Sequence, residues 1–130
     1  MQEVLRLALI GCGRISSKHI EAVLGNKDRV RLVACCDPIQ DRAQRRAQEY
    51  GAVLSSGSDV TVYADYHEML AKEKPDICAI ATESGYHPRI AIDCLEAGSH
   101  VICEKPMALS TRDADAMIDA ARRNNRKLAV

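Results

Sequence analysis

The chain has 130 residues, the length of one domain, and its 47% hydrophobic content suffices for a core that must be aliphatic, since Phe and Trp are absent. Eighteen Lys and Arg balance eighteen Asp and Glu, which argues against nucleic acid or an anionic membrane surface as a partner. No apolar run approaches the about 18 residues that a membrane span needs, and the start at Met1–Val4 has no basic signal region. We therefore predict a soluble, cytoplasmic protein.

Short apolar runs alternate along the chain with amphipathic stretches. Within the runs, Ile, Val, Ala and Cys follow one another without polar alternation, as in strands that helices cover on both faces. Ser55–Asp59 is predicted as a flexible loop before or within the third strand. The predicted strands are Val4–Ile10, Val30–Cys36, a weak one near Val60–Tyr63, Ile77–Ala81, His100–Cys103 and Lys127–Val130.

Amphipathic helices are predicted between strands wherever apolar residues recur on one face. Gly51 and Gly98 are predicted to end the second and third of them, and Ser110 with Asp113 forms a capping-box pattern before the last. Strand–helix alternation of this kind predicts an α/β fold with a doubly wound parallel sheet of the Rossmann type. The apolar positions are Ile20, Val23 and Leu24; Ala43, Ala47 and Tyr50; Ala91, Cys94 and Leu95; and Ala114, Met117, Ile118 and Ala121.

The six cysteines form no C-x-x-C pair, and several lie inside apolar runs. A disulfide framework is disfavoured because adjacent Cys35 and Cys36 in a strand point to opposite faces. The paired spacing of zinc ligands is missing from the sequence, so no metal site is predicted. We interpret these residues as small buried hydrophobic side chains: Cys12, Cys35, Cys36, Cys78, Cys94 and Cys103.

The segment Gly11–Ser16 follows the first predicted strand directly and opens a helix. In a dinucleotide fold the first glycine makes a tight turn, the second lets the backbone approach the pyrophosphate, and a third small residue lets helix and strand pack closely. Gly11 and Gly13 fit the first two roles, and Ser16 replaces the usual third Gly or Ala. The residues expected to bind the pyrophosphate at the helix start are Gly11, Gly13, Arg14 and Ile15.

Asp37 closes the second predicted strand, about 20 positions after the glycine motif. A carboxylate there can accept hydrogen bonds from the adenosine ribose and would repel a 2′-phosphate, so we predict NAD as the cofactor. Arg42 lies close enough in sequence to approach a 2′-phosphate, but Asp37 argues against that role. The alternative is a glycine turn and a helix-capping Asp in another α/β fold, such as that of methyltransferases.

Glu104-Lys105-Pro106 follows the fifth predicted strand, at the edge where open α/β sheets bind their ligands. Lys105 there can contact both a nicotinamide ring and a substrate hydroxyl. Pro106 fixes the turn, for which we predict a cis Lys105–Pro106 peptide, and Glu104 can orient the ammonium group. The alternative is a solvated loop lysine, which is the usual situation of an arbitrary lysine.

Together these features resemble the glucose–fructose oxidoreductase/inositol dehydrogenase family (Gfo/Idh/MocA). The resemblance covers the whole sequence and rests on Gly11–Ser16, Asp37, Thr82–His87, Glu96–Val101 and Glu104–Pro106. It implies an N-terminal Rossmann domain of an NAD-dependent oxidoreductase, which moves hydride between nicotinamide and a carbohydrate hydroxyl carbon.

The resemblance also implies roles for single residues. Lys105 would lie beside the nicotinamide and act in catalysis, with Glu104 in the same cofactor contact. In relatives a Thr-Pro-Asn-x-x-His stretch lines the cofactor, and Thr82 and His87 match it here. Glu83 and Ser84 depart from that pattern, and it stays open whether the Glu83 carboxylate faces the cofactor.

The family further implies a second, α+β domain that binds the substrate and supplies the principal acid/base, a histidine often with an aspartate nearby. Because the last apolar run reaches Val130, we expect residues 1–130 to be a truncated Rossmann domain without that second domain, inactive alone. The complete protein is expected to form a homo-oligomer.

A finer resemblance is to the nucleotide-sugar members, which oxidise the 3-hydroxyl of UDP-N-acetylglucosaminuronic acid or close relatives. It rests on Gly13–Ser16, His19–Ala22, Ser84–Pro88 and Glu104–Leu109. It implies a carbohydrate or nucleotide-sugar substrate, although substrate contacts come mainly from the second domain, so this step is analogy.

Two functions from other classes remain open. A non-catalytic NAD-binding regulatory or sensor module is argued against by Lys105, and a compact coenzyme A-binding domain is disfavoured by Asp37 and the Glu-Lys-Pro motif.

The remaining polar residues receive structural interpretations. His19 is expected to pack or cap the first helix. His67 and His100 form no metal constellation, and the expected solvated helix face consists of Arg42, Arg45 and Arg46.

Overall fold

The structure, a computed structural model, describes residues 3–54 and 59–130. Of the predicted loop Ser55–Asp59, only Asp59 is among the described residues. Within them, six parallel strands form one sheet in the order β3-β2-β1-β4-β5-β6, which is the Rossmann order, so the predicted fold is confirmed. The strands are β1 (Leu5–Ile10), β2 (Val30–Cys36), β3 (Thr61–Tyr63), β4 (Ile77–Ile80), β5 (His100–Cys103) and β6 (Leu128–Ala129).

Helices cover both faces of this sheet. Residues of α1 and α2 pack on one face around Leu9 and Cys35, and residues of α3, α4 and α5 pack on the other around Ala8 and Cys36. Cys35 and Cys36 thus point to opposite faces, as predicted, and all six cysteines are buried and free. The helices are α1 (Ser17–Gly25), α2 (Gln40–Val53), α3 (Tyr66–Glu73), α4 (His87–Glu96) and α5 (Thr111–Arg123), with short 3₁₀ turns at Arg14–Ser16 and Ser84–Tyr86.

Two predicted helix ends are confirmed by their hydrogen bonds. After α4, Gly98 has φ +98°, and the N–H groups of Ser99 and Gly98 donate to the carbonyls of Cys94 and Leu95, a Schellman motif. Before α5, the hydroxyl of Ser110 accepts the backbone N–H of Asp113 at 3.1 Å. These caps fix where the backbone leaves α4 and where it enters α5.

Three sequence predictions about helices and strands were wrong. Gly51 does not end α2, which continues to Val53, because one glycine weakens a helix by only about 1 kcal/mol. Ile118 is 39% exposed, and Ala120 is buried in its place on α5. β5 is not covered on both faces, since Ile102 is 38% exposed. Helix α3 was not predicted, because only its adjacent Met69 and Leu70 are buried and they give no helical repeat.

Candidate functional site

The carboxyl ends of β1, β2, β4 and β5 lie side by side, where Ile10 pairs with Cys36 and Ile80, and Ile80 pairs with Cys103. Beyond this edge is a cleft of about 770 Å³, a size usual for small-molecule sites. The glycine turn, Asp37 and the residues after β4 meet there, as predicted for the switch point of an open sheet. The sequence-predicted site residues that line the cleft are Gly11, Gly13, Arg14, Ile15, Asp37 and Thr82.

Gly11 and Gly13 serve different purposes in the turn. Gly11 has φ +91°, and a Cβ added there would lie 2.6 Å from Ala81 C and Thr82 N, so only glycine lets the end of β1 pass this close to the end of β4. A Cβ on Gly13 would meet no heavy atom within 4 Å, because this residue faces the open cleft. Gly11 therefore holds the fold, whereas Gly13 leaves space for a ligand.

Asp37 is held in place by the backbone of two loops. Its Oδ2 accepts the N–H of Cys12 at 2.8 Å, and its Oδ1 accepts the N–H of Ile39 at 2.8 Å. The residue is 7% exposed and lines the cleft. A carboxylate oxygen can accept more than one hydrogen bond, so both oxygens keep acceptor capacity for hydroxyl donors.

Arg46 corrects the prediction of a solvated arginine face on α2. Arg42 and Arg45 are exposed, but Arg46 is 7% exposed and reaches the glycine turn. Its Nε donates to Ser16 Oγ at 2.8 Å and its Nη2 donates to Gly13 O at 3.3 Å. Sequence reasoning missed this contact because the partners lie on separate elements.

His87 is buried beside the cleft and bonds to backbone on both sides. Its Nε2 is 2.8 Å from Thr82 O and its Nδ1 is 2.9 Å from Pro106 O. Each ring nitrogen therefore lies within hydrogen-bonding distance of a backbone carbonyl, and the residue connects the segment after β4 to the turn after β5. Its contact with the cofactor stays a prediction. Glu83 is exposed and lines the cleft.

The Glu104-Lys105-Pro106 turn contains the predicted cis Lys105–Pro106 peptide. Glu104 Oε1 lies 2.8 Å from His19 Nε2, so this carboxylate pairs with α1 rather than with the neighbouring ammonium group. Lys105 is exposed and, within residues 3–54 and 59–130, forms no hydrogen bond or ion pair. His19, interpreted from sequence as a packing or capping residue, thus contacts the motif that carries Lys105.

The thiols near this edge are not reactive groups. Burial raises the pKa of Cys36 to about 12 and that of Cys103 to about 11. A hydrogen bond with Cys35, together with burial, raises the pKa of Cys12. Each therefore carries its proton at neutral pH and contributes packing rather than nucleophilic chemistry.

The other histidines have structural contacts. His67 pairs with Asp65 and Asp93, and His100 Nδ1 accepts the N–H of Lys127 at 2.9 Å. Among the described residues, no group of three or more His, Cys, Asp or Glu side chains is arranged to hold a metal ion. None of the helices in the described part of the chain is long and apolar enough to span a membrane.

Comparison with curated proteins gives relatives among dehydrogenases of sugars and cyclitols. D-glucoside 3-dehydrogenase of Escherichia coli (strain K12) is 34% identical over 125 residues, which are 96% of this chain and 34% of that protein. Inositol 2-dehydrogenase of Salmonella typhimurium is 27% identical over 95% of this chain and 35% of that protein. The chain therefore spans about a third of the length of these relatives.

Comparison with solved structures also gives dehydrogenases and proteins in complex with NAD or NADH. The WlbA dehydrogenase from Chromobacterium violaceum, in complex with NADH and UDP-GlcNAcA, is 34% identical with a TM-score of 0.88, over 98% of this chain and 35% of that one. GenD2 from gentamicin A biosynthesis, in complex with NAD, is 30% identical with a TM-score of 0.86, over 99% of this chain and 34% of that one. The model of the oxidoreductase family with an NAD-binding Rossmann fold matches residues 5–130. The resemblance seen in the sequence is thereby confirmed, and the chain belongs to this oxidoreductase family.

Proposed function

We propose that residues 1–130 form the NAD-binding domain of a sugar dehydrogenase. The observation that carries this proposal is the meeting of three features at one sheet edge: the glycine turn, Asp37 at the end of β2, and Lys105 in the turn after β5. They follow the carboxyl ends of β1, β2 and β5, the edge where an open α/β sheet binds a dinucleotide with its phosphates at a helix start. Family membership supports the same cofactor.

The turn and Asp37 fit the adenosine and phosphate half of NAD. The open space in front of Gly13 admits a phosphate close to the backbone, and the first N–H groups of a helix have no partner within the helix. Asp37, already fixed by two backbone N–H groups, would accept the ribose hydroxyls. Its negative charge would repel a 2′-phosphate, which favours NAD over NADP.

Lys105 is the residue proposed to act in catalysis. When bound, NAD accepts the hydride from the carbinol carbon of the substrate. The exposed ammonium of Lys105 would donate a hydrogen bond to the substrate hydroxyl and stabilise negative charge on its oxygen as the proton leaves. The base that takes the proton is proposed to lie outside these residues, in a substrate-binding domain, and the complete protein is proposed to be a homo-oligomer.

For the substrate, we propose a sugar oxidised at its 3-position and linked to a nucleotide, as in UDP-N-acetylglucosaminuronic acid. Two similar proteins support this choice: one is named a D-glucoside 3-dehydrogenase, and the other was solved with NADH and UDP-GlcNAcA. The segment Ser84–Pro88, in which Ser84 departs from the common family pattern, resembles the nucleotide-sugar members.

The test is a cofactor titration followed by a substrate panel on the whole protein. We expect NAD to bind more tightly than NADP, and Asp37→Ser to reduce that preference about tenfold or more. Production of NADH is then followed by absorbance with UDP-GlcNAcA, a D-glucoside and myo-inositol. Tighter binding of NADP would contradict the cofactor choice, and NAD binding without turnover on any sugar would favour the sensor-module alternative.

A further inference from the structure

Arg46 is a buried charged residue. It lies on α2 and is 7% exposed, whereas Arg42 and Arg45 on the same helix are exposed. Taking a guanidinium group out of water is costly unless its N–H groups are hydrogen-bonded and its charge is compensated. Its partners therefore indicate what the charge does.

Two of the three partners of Arg46 belong to the glycine turn. Nε donates to Ser16 Oγ at 2.8 Å, Nη2 donates to Gly13 O at 3.3 Å, and Nη1 pairs with the half-exposed carboxylate of Glu49. The Ser16 hydroxyl itself donates to Gly13 O. A side chain from α2 and the residue that replaces the usual third glycine thus act on the same carbonyl.

The direction of the Gly13 carbonyl fixes a donor on the other side of the same peptide. In a planar trans peptide the C=O and the following N–H point in opposite directions. Because Gly13 O points toward Ser16 and Arg46, the N–H of Arg14 points away from them, and Gly13 and Arg14 both line the cleft. An N–H at a helix start that faces a cleft can bind a phosphate oxygen.

We propose that Arg46, acting through Ser16 and Gly13, is a positioning residue for phosphate binding. It holds the Gly13–Arg14 peptide with its N–H toward the pyrophosphate and places a positive charge behind the turn. Ser16 is then more than a small residue that permits packing, since its hydroxyl connects the guanidinium group to the carbonyl. This inference rests on the proposed NAD site at the glycine turn.

The experiment compares ligands with and without phosphates on the whole protein. Dissociation constants of ADP and adenosine are measured by competition with NADH fluorescence. We expect Arg46→Met to weaken ADP binding about tenfold, as for loss of one charge-assisted hydrogen bond, and to leave adenosine within about twofold. Arg45→Met removes the same charge from the exposed face of α2 and is expected to change neither constant.

Ser16→Ala keeps the test decisive if Arg46→Met does not fold. Alanine is common at the third position of such turns, so this variant should fold. Its affinity for ADP should fall about threefold, and its affinity for adenosine should stay unchanged. Equal losses for ADP and adenosine, or an equal loss in Arg45→Met, would overturn the positioning role. Unchanged ADP affinity in Ser16→Ala, or in a folded Arg46→Met, would overturn it as well. If the unmodified protein binds neither NAD nor ADP, the proposed cofactor site itself is wrong.

Discussion

The proposed site has two ends on one sheet edge, the glycine turn with Asp37 and the turn around Lys105, and the two are held in different ways. At the glycine turn, the polar groups already have protein partners: Asp37 accepts two backbone N–H groups, and Gly13 O accepts donors from Ser16 and Arg46. At the other end, the side chain of Lys105 is exposed and forms no polar contact within the described residues. Only the backbone around it is fixed.

The turn around Lys105 is held from two helices. His19 on α1 pairs with the side chain of Glu104, and His87 at the start of α4 contacts the backbone carbonyl of Pro106. The difference between the ends follows from what each is proposed to bind. Adenosine and phosphates would contact only this chain, so their site can be rigid, whereas Lys105 must also meet a substrate and needs a free ammonium group on a fixed turn.

The largest expected effect comes from comparing residues 1–130 with the whole protein: ADP binding, which depends on the glycine-turn end, should persist, whereas turnover, which needs the Lys105 end, should be lost. The adenosine and phosphate contacts proposed here lie between Gly11 and Asp37, so ADP affinity should stay within about fivefold. Turnover should fall to background, because hydride transfer needs reacting atoms held about 3–3.5 Å apart, and one domain cannot impose that geometry. Robust NADH production by residues 1–130 would contradict the proposed half-site.

Lys105→Met in the whole protein should give the next largest effect. We expect kcat to fall by about 10²–10⁴, the range for a positioned acid–base group, while the dissociation constant of NAD changes little. Lys27→Met, at an exposed position beyond the far end of α1, serves as the matched control. Comparable turnover in Lys105→Met would remove the residue from the mechanism.

Gly11→Ala and Gly13→Ala should separate folding from binding at the turn. Gly11→Ala combines positive φ with a 2.6 Å contact to the backbone of Ala81 and Thr82, so the free energy of unfolding should fall by about 1–3 kcal/mol. In Gly13→Ala the added Cβ meets no heavy atom within 4 Å, so the free energy of unfolding should change by less than about 0.5 kcal/mol, whereas the affinity for NAD should fall. Urea unfolding and NAD titration measure both, and equal destabilisation would contradict the separation.

The same contrast explains what could be predicted from the sequence. Gly11, Gly13 and Asp37 follow strand ends at fixed spacings, and those spacings reflect local backbone needs that one sequence displays. Contacts between distant side chains leave no such pattern. Arg46 and Ser16 are 30 positions apart, and His19 and Glu104 are 85 apart. Both pairs form because the fold brings the start of α1 close to α2 and to the turn after β5, which sequence periodicity does not specify.

His19→Ala should give the smallest effect and test whether the backbone around Lys105 is held for catalysis. The His19–Glu104 pair is partly exposed, at 15% and 30%, and a pair of this kind contributes about 0.2–1 kcal/mol. Its loss should therefore lower kcat up to about fivefold while NAD affinity stays unchanged, because Glu104 lies away from the phosphates. His19→Gln retains an N–H donor toward Glu104 and should recover most of the loss. Lys18→Ala, at an exposed position next along α1, is the control. A decrease in NAD affinity equal to the decrease in kcat, or no recovery in His19→Gln, would show that His19 supports the helix rather than the turn.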